Sequence, residues 1–478
     1  MKMVKKTLAV LLALAMLMSF VTIHSSAKYV TYDEWVEYYK TCDNKGMMMT
    51  PGSDETELNF CWHSDRNWTG AKPVVRMSKN ADMSNYVEFK GYHTFSENAD
   101  QRVNNVTATG LEENTTYYYT YGVDGEFSEP AVYKTRSFDS FKFLYISDVQ
   151  PNPNSSKDDT IEKQTYLWNH SLEVAFDKND DISFIVNGGD VTNSGSDTEE
   201  WVGVLSPKKY LNSYPMAATQ GNHDKKGTQY KYYFNNPNVY LGVSPTVYGN
   251  GYWFRYGDVL FVMINSLKIN IFDNYALVKK AVEANPDAKW RIAVTHYDLY
   301  GTGHHATQSE TVAVKRALGP VLEHYDFDLA LTGHDHIYGR SYFIDDSKVL
   351  QTPGYEDGRV VDPQGLMYLT ASGSRGNSRF DGTEYNYEWI GMQYRSKNNC
   401  YSTIEITDEG SLKLESVDTI TEEVIDSFEI VKTNYKFNEK ENDGGYLGMI
   451  IKPLVGEYYV IFEMIGDLFE KIASFFSK

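Results

Sequence analysis

Between Met47 and Phe138 the chain alternates apolar and polar positions in short runs: Glu57–Trp62, Val74–Met77, Tyr86–Phe89, Gln101–Val103, Thr116–Tyr121 and Ala131–Thr135. A period of two places alternate side chains on opposite faces, so each run predicts a half-buried strand. Runs of this length separated by turn residues predict an antiparallel sandwich of about 90 residues. Near Phe141 the pattern changes. Phe141–Ser147, Ser183–Asn187, Pro215–Thr219, Val259–Ile264, Ile292–Thr295 and Asp328–Thr332 are short, nearly continuous apolar runs, and the helical stretches Ile161–Phe176, Asn274–Ala284 and Thr311–His324 lie between them. Alternating strands and helices predict a largely parallel sheet covered by helices, with ligands held beyond the carboxyl ends of the strands. Ser402–Ile406, Ser411–Glu415 and Asp426–Val431 read as closing strands.

The two ends of the chain differ from the middle. Lys2, Lys5 and Lys6 precede an apolar run from Thr7 to Val21 and then Ser25-Ser-Ala27, which is the pattern of a secretory leader. The run falls short of the ~20 residues that a helix needs to cross a bilayer. Past Asn442, Ile461, Ile465, Leu468, Ile472 and Phe475 recur at helical spacing opposite Glu463, Asp467, Glu470 and Lys471. They predict an amphipathic helix that docks on its own protein, on a partner or on a membrane surface. These shifts divide the chain into a leader (1–27), an N-terminal segment (28–46), a β-sandwich (47–138), an α/β domain (139–432) and a tail (433–478).

Charge narrows the chemistry. The chain of 478 residues has net charge −20, and loss of the three leader lysines takes it to −23. Such a surface repels nucleic-acid backbones, so a site for an anionic substrate must gather positive charge locally, most simply as metal. Cys42, Cys61 and Cys400 are the only cysteines; an odd, widely spaced set fits neither a disulfide framework nor a zinc knuckle.

Five of the six buried runs lead straight into polar motifs: Asp148-Val-Gln150, Gly189-Asp190, Gly221-Asn-His-Asp224, Thr295-His296 and Gly333-His-Asp-His336, with His304-His305 between the last two. Carboxylates, an amide oxygen and imidazoles arriving at successive strand ends suit two divalent cations acting on phosphate. His334 and His336, two apart on an extended segment, point the same way and reach neighbouring metals. Asp224, next to His223, is placed to orient its ring. Arg340 and Arg375 are expected at the rim, where they would meet the anionic group of a substrate. His63, His93, His170 and His324 match no motif and read as surface or satisfied core residues.

Taken together, these motifs resemble the calcineurin-like metallophosphoesterases. With Gly110–Tyr121 looking like the tyrosine-closed corner of a fibronectin type III domain, the chain is most similar to bacterial proteins of purple acid phosphatase type over roughly residues 47 to 432. The resemblance implies a fibronectin III-like sandwich followed by a four-layer α/β/β/α domain. It makes Asp148, Asp190 and His336 ligands of one metal and Asp190, Asn222, His296 and His334 ligands of the other, with Asp190 bridging. It places His223 against the phosphoryl oxygen or leaving group, and matches His304 and His305, at a spacing one residue shorter, to a catalytic histidine pair on the loop after the first C-terminal ligand; His223, between Asn222 and Asp224, is read as the general acid. Gln150 stands where relatives carry histidine, and Asn193 where purple acid phosphatases carry a metal-binding tyrosine. Without that phenolate the expectation is a colourless pair of divalent ions (Fe, Zn or Mn), with Gln150 ligating through its amide oxygen or holding a water. The function implied is a secreted, metal-dependent phosphoesterase, foremost a phosphomonoesterase. A phosphodiesterase or nucleotide hydrolase is the alternative on the same site, and a non-catalytic cell-surface binding protein with a decayed site is the alternative of another class.

Overall fold

The computed structural model describes residues 28–65, 70–96, 101–152, 160–268, 271–374 and 385–437. The leader, Arg375 and the amphipathic tail lie outside the described residues. The chain divides into two compact units at Thr41. In the first, a helix spans Tyr32–Tyr39. Thr31 starts it with a capping box, its Oγ1 accepting from Glu34 N at 3.4 Å while the Glu34 carboxylate accepts from Thr31 N at 2.9 Å. Two otherwise unpaired backbone donors are thereby satisfied.

The second unit opens with the sandwich. One antiparallel sheet joins Met47–Pro51, Leu58–Asp65, Gln101–Ala108 and Tyr92–Phe95; the other joins Val87–Lys90, Val74–Ser78, Thr116–Val123 and Glu126–Phe127, with Ala131–Lys134 also on Thr116–Val123. Phe60, Trp62, Val75, Met77, Val106, Tyr117 and Tyr119 fill the space between them. Tyr117 closes the corner as expected, its hydroxyl accepting from Glu112 N at 2.8 Å. This β-rich part holds the loop that follows Asn222 and His223. Thr50 Oγ1 donates to Asn235 O at 2.8 Å, Ser96 Oγ donates to Gln229 Oε1 at 2.7 Å, and buried His63 meets Tyr232 O through Nε2 at 2.9 Å.

Two seven-stranded mixed sheets form the paired β-layers of the expected α/β/β/α order, where the pattern of runs taken alone read as a largely parallel sheet. In one, Met216–Ala218, Ile182–Asn187 and Phe141–Ile146 run parallel, and Cys400–Ile406 continues antiparallel into Ser411–Asp418 and Val424–Val431. In the other, Val259–Ile264, Trp290–Thr295, Leu329–Thr332 and Met367–Thr370 run parallel, flanked by Tyr252–Tyr256 and by Tyr338–Ser341 with Ile390–Tyr394. Alternate residues face one another across the interior: Phe141, Phe143, Tyr145, Phe184 and Val186 from the first sheet, Phe254, Phe261, Ile292, Val294 and Leu331 from the second. The second sheet's other face packs Leu260, Val262, Ala293 and Ala330 against Leu277, Val278 and Ala281 of the helix Ile271–Ala284 and Leu318, Val321 and Leu322 of the helix Ser309–His324. Runs apolar at every position are what a strand covered on both faces requires. The motif-bearing strands of both sheets present their carboxyl ends at one edge, and Tyr145 ties the two sheets there by donating its hydroxyl to Thr332 O.

Candidate metal centre

Each motif turns sharply as it leaves its strand. Asp148, Gln150, Asp190, His334 and His336 adopt φ of 53°, 35°, 49°, 74° and 57°. L-residues rarely occupy this region, and a cluster of them is characteristic of functional sites. Neighbouring glycines make the space: a Cβ on Gly221 would lie 2.0 Å from Asp190 Oδ1, and one on Gly333 would lie 2.6 Å from Asp148 Oδ2.

The turns bring the side chains together from both sheets. His336 Nε2 lies 3.2 Å from Asp148 Oδ1, and Asp148 accepts from His334 N. His296 Nε2 lies 3.3 Å from Asp190 Oδ2 and 2.9 Å from Asn222 Oδ1. Donor atoms of Asp190, His296 and His334 fall within 4.8 Å of one another. His223 N donates to Asp190 Oδ1 at 2.8 Å. Asp190, Asn222, His334 and His336 line a small pocket of about 80 Å³ together with His223, His304, His305 and Asp335.

Two observations show that the set fits cations. His296 Nδ1 lies 3.1 Å from Gly188 O, a hydrogen bond that requires the proton on Nδ1. Its Nε2 faces Asp190 Oδ2 and Asn222 Oδ1, so an imidazole nitrogen and two oxygens meet where a divalent ion would take all three as ligands on releasing the Nε2 proton. Gln150 Nε2 donates to Asp190 Oδ2, while its Oε1, fully buried, has no hydrogen-bond partner. A buried amide oxygen left unpaired is costly, and it is the atom type that a divalent ion or its water would take.

Electrostatics follow the contacts. Burial alone would raise the Asp148 and Asp190 carboxyls, but His336 beside one and His296 beside the other hold both below the usual range. Burial would lower His296, but the charge and hydrogen bond of Asp190, with the Asp148 charge and the Gly188 carbonyl, together outweigh it and bring the ring to about 9. His334 is pushed well below its ordinary value by burial, then by His296 and His305, which leaves it the neutral ring that a metal ligand must be.

Residues 141–338 match the calcineurin-like phosphoesterase family, and residues 45–138 match the purple acid phosphatase N-terminal domain. The chain carries a calcineurin-like phosphoesterase domain behind a purple acid phosphatase N-terminal domain. Purple acid phosphatase 3 of Arabidopsis thaliana is 31% identical over 67 residues, 14% of this chain and 18% of that protein. The match thus spans less than a fifth of that relative's length. Among solved structures, a purple acid phosphatase from yellow lupin (Lupinus luteus) seeds aligns with TM-score 0.66 at 16% identity, over 82% of this chain and 75% of the other. PhoD aligns with TM-score 0.54 at 11% identity, over 90% and 100%. At these identities the likeness is one of fold.

Within the phosphoesterase domain two expectations are corrected. Arg340 is not at the rim. It lies on the strand Tyr338–Ser341, buried, and donates through Nε and Nη2 to the Asp426 carboxylate at 2.8 and 3.0 Å, with the Phe428 ring against its guanidinium. Asp224 does not orient His223. It is buried and accepts from Gly221 N, Val191 N and Thr192 N at 2.9, 3.2 and 2.9 Å. Burial and the Asp190 charge push its carboxyl up to about 7. The His223 ring instead places Nδ1 at 3.0 Å from Asn193 O and 2.8 Å from Lys226 Nζ. Asn193, in the position of the missing tyrosine, thus contributes its backbone carbonyl.

The reading by motif also passed over an acidic pair. Asp298, two residues after His296, and Asp335, between His334 and His336, are both buried and in contact. Burial and the Asp335 charge push the Asp298 carboxyl far up. An aspartate at the centre of Gly-His-Asp-His was visible in the sequence, but its partner loop was not.

Proposed function

We propose that this chain hydrolyses phosphate esters, foremost monoesters, at the centre formed by Asp148, Gln150, Asp190, Asn222, His296, His334 and His336. The convergence at His296 Nε2 carries the reading, because three ligand-type groups, the imidazole and the oxygens of Asp190 and Asn222, meet there with nothing between them. Asp148 and His336 would hold one ion, Asn222, His296 and His334 the other, with Asp190 between. Two divalent ions in such a site supply positive charge for phosphate oxygens and acidify a water for in-line attack.

The protein's own groups supply the rest. Lys226 donates to His223 Nδ1, so the ring proton resides on Nε2, where it can donate to a phosphoryl oxygen. His304 and His305 close the opposite wall. A pocket that admits little more than one phosphoryl group and is ringed by nitrogen donors favours a dianionic monoester over a bulkier diester. The Tyr297 phenol, in edge contact with the His334 ring, is pushed up to about 12 by burial. It is therefore protonated near neutrality and no source of a ferric phenolate colour; the centre is read as colourless and divalent.

The test is turnover of a phosphate monoester and of the matching diester by the purified full chain after loading with manganese or zinc. Faster monoester turnover is expected, with two ions per chain by elemental analysis. A chain that holds two ions yet turns over neither ester would overturn the reading in favour of a binding protein. Export, proposed from the 1–27 pattern, is checked by N-terminal sequencing of protein recovered outside the cell.

A further inference from the structure

Four exposed aliphatic side chains crowd one loop near the metal centre. Between Asn238 and Tyr248, Val239, Leu241, Val243 and Val247 are 44%, 57%, 83% and 62% exposed. Scattered apolar residues on a surface need no explanation, but a group of them marks a contact. The loop's backbone is firmly held. Beneath it Lys268 and Asp273 form a buried ion pair at 2.8 Å. The Asp273 carboxylate also accepts from Val243 N at 3.0 Å and Ser244 N at 2.9 Å, while Lys268 Nζ donates to Leu241 O at 3.1 Å. Gly242 makes the turn at φ 63°, where a Cβ would lie 2.4 Å from Asp273 Cγ. At the far end Thr246 N donates to Asn250 Oδ1 at 2.9 Å, and Asn265 Nδ2 to Gly249 O at 3.0 Å. The backbone is thus fixed from the protein side while the aliphatic groups face out, so little freedom is left to lose on contact.

Position and charge indicate what the loop meets. Gln220, just before the Gly221-Asn222 turn, donates through Nε2 to Asn250 O at 3.4 Å, which ties the loop to the edge that carries the ligands. The chain has 65 acidic residues among 478, yet none lies between Lys225 and Tyr248, a stretch that holds Lys225, Lys226 and Lys231. Exposed Lys280 adds a further cation, its Nζ 5.8 Å from the Tyr240 ring. Charges more than about 10 Å away are screened at ordinary salt, so these local cations, and not the net charge of −20, set the field at the loop. A protein interface is anchored by aromatic rings and arginine; none of the loop's exposed side chains is either. From this geometry we infer that the loop Asn238–Tyr248 seats the chain on an anionic lipid bilayer, with its aliphatic side chains among the acyl chains, its lysines at the headgroup phosphates and the metal centre at the membrane surface. On the phosphoesterase reading above, the esters within reach of the docked centre are those carried by lipids.

The test is sedimentation of the purified full chain with vesicles of phosphatidylcholine, alone or mixed with phosphatidylglycerol. Wild type is expected to bind the mixed vesicles, to bind phosphatidylcholine alone more weakly, and to leave the mixed vesicles as salt is raised. Val243→Ser with Val247→Ser should weaken binding at least about tenfold, because neither side chain then gains from burial among acyl chains. Both positions are exposed, so Tm should not change. Val243→Trp should tighten binding, since tryptophan favours the membrane–water interface. Unchanged binding by the serine variant would place the contact elsewhere, residues 461–475 included, and overturns the inference, as does a tryptophan variant that binds no better than the serine one. A chain that binds neither vesicle but forms dimers through Val243 and Val247 would make the loop a contact between copies, which also overturns it. In turnover, the serine variant should hydrolyse phosphatidate in mixed vesicles about tenfold more slowly than wild type, and a soluble aryl phosphate at the wild-type rate. Equal loss on both esters would show that the loop shapes the pocket and not the docking. If wild type holds metal but hydrolyses neither ester, the phosphoesterase reading fails while vesicle binding still decides the role of the loop.

Discussion

Lys226 Nζ lies 2.8 Å from Nδ1 of His223, and the same ammonium reaches Asn193 O at 3.3 Å. The lysine and the carbonyl ask opposite things of the ring. The carbonyl accepts only if Nδ1 carries hydrogen, the lysine donates only if it does not, and the lysine, being charged and closer, prevails. Removing it should hand the ring to Asn193 O and turn Nε2 into a lone pair facing the substrate's oxygens. Lys226→Met is therefore expected to lower kcat/KM for a phosphate monoester at least about tenfold, the equivalent of one charged hydrogen bond of about 1.5 kcal/mol. In a His223→Ala background the same substitution should cost nothing more. A full additional loss there would mean that the lysine acts on the substrate directly.

Glu200 controls the other side of that loop. Its carboxylate accepts from Asn193 N at 2.6 Å and Ser194 N at 2.7 Å, and burial pushes it up to about 7 from an ordinary value near 4.5. Between those two values the folded chain binds more protons at this site than the unfolded chain does. Its contribution to stability therefore falls as pH rises, by up to about 1.4 kcal/mol per pH unit, and is level outside the window. Glu200→Gln should abolish that slope. The difference in Tm between wild type and variant, followed from pH 4.5 to 7.5, should move in the variant's favour as pH rises, and a constant difference would contradict the assignment.

The ligand motifs were legible because each sits at the end of a run apolar at every position, and such runs are short enough to end in view of their cargo. Two sheets were implied by the family resemblance, but the runs themselves did not show how they divide between them. Phe143 and Phe261 look alike as sequence, and only the packing shows that they meet face to edge at 5.2 Å from opposite sheets. Strands with mixed faces were harder still. Tyr338–Ser341 has polar composition because Arg340 carries its partner Asp426 into the interior, and a sequence pattern cannot tell a buried ion pair from an exposed one. Lys226 and Glu200 were missed for another reason. They touch the chemistry through loop geometry, three residues after His223 and ten after Asp190, at no spacing that a helix or strand would announce.

Arg340 shows the consequence for experiment. Its guanidinium pairs with Asp426, which also accepts from the Tyr338 hydroxyl at 2.7 Å. Removing one member of a buried pair leaves the other charged and uncompensated, at about 3–5 kcal/mol. Arg340→Met should lower the urea midpoint accordingly, yet leave the affinity of the folded protein for inorganic phosphate unchanged. Arg340→Met with Asp426→Leu should recover much of the stability, because an apolar pair of similar volume replaces the ions. Weakened phosphate binding at unaltered stability would restore the arginine to the rim.

Tyr145 joins stability to metal binding more directly. Its ring lies in the core between the sheets, and its hydroxyl donates to Thr332 O, two residues before His334, while its own strand continues two residues beyond it to Ser147 and then Asp148. The bond therefore sets the distance between strand ends that carry ligands of both proposed ions. Tyr145→Phe keeps the ring and its packing but leaves the buried Thr332 carbonyl with Ala371 N as its remaining donor, at a cost of about 0.5–1.5 kcal/mol. Part of that cost can be relieved if the sheets part slightly at this edge, which would weaken the grip on metal before it unfolds the domain. The expected result is a modest fall in urea midpoint and a larger rise in the rate at which a chelator strips metal, whereas an equivalent change at Tyr252, whose hydroxyl donates to Ala218 O at 3.0 Å without linking Asp148 to His334, should lower stability alone. Equal stripping rates in the two variants would show that the hydroxyl of Tyr145 holds the core and not the spacing of the ligands.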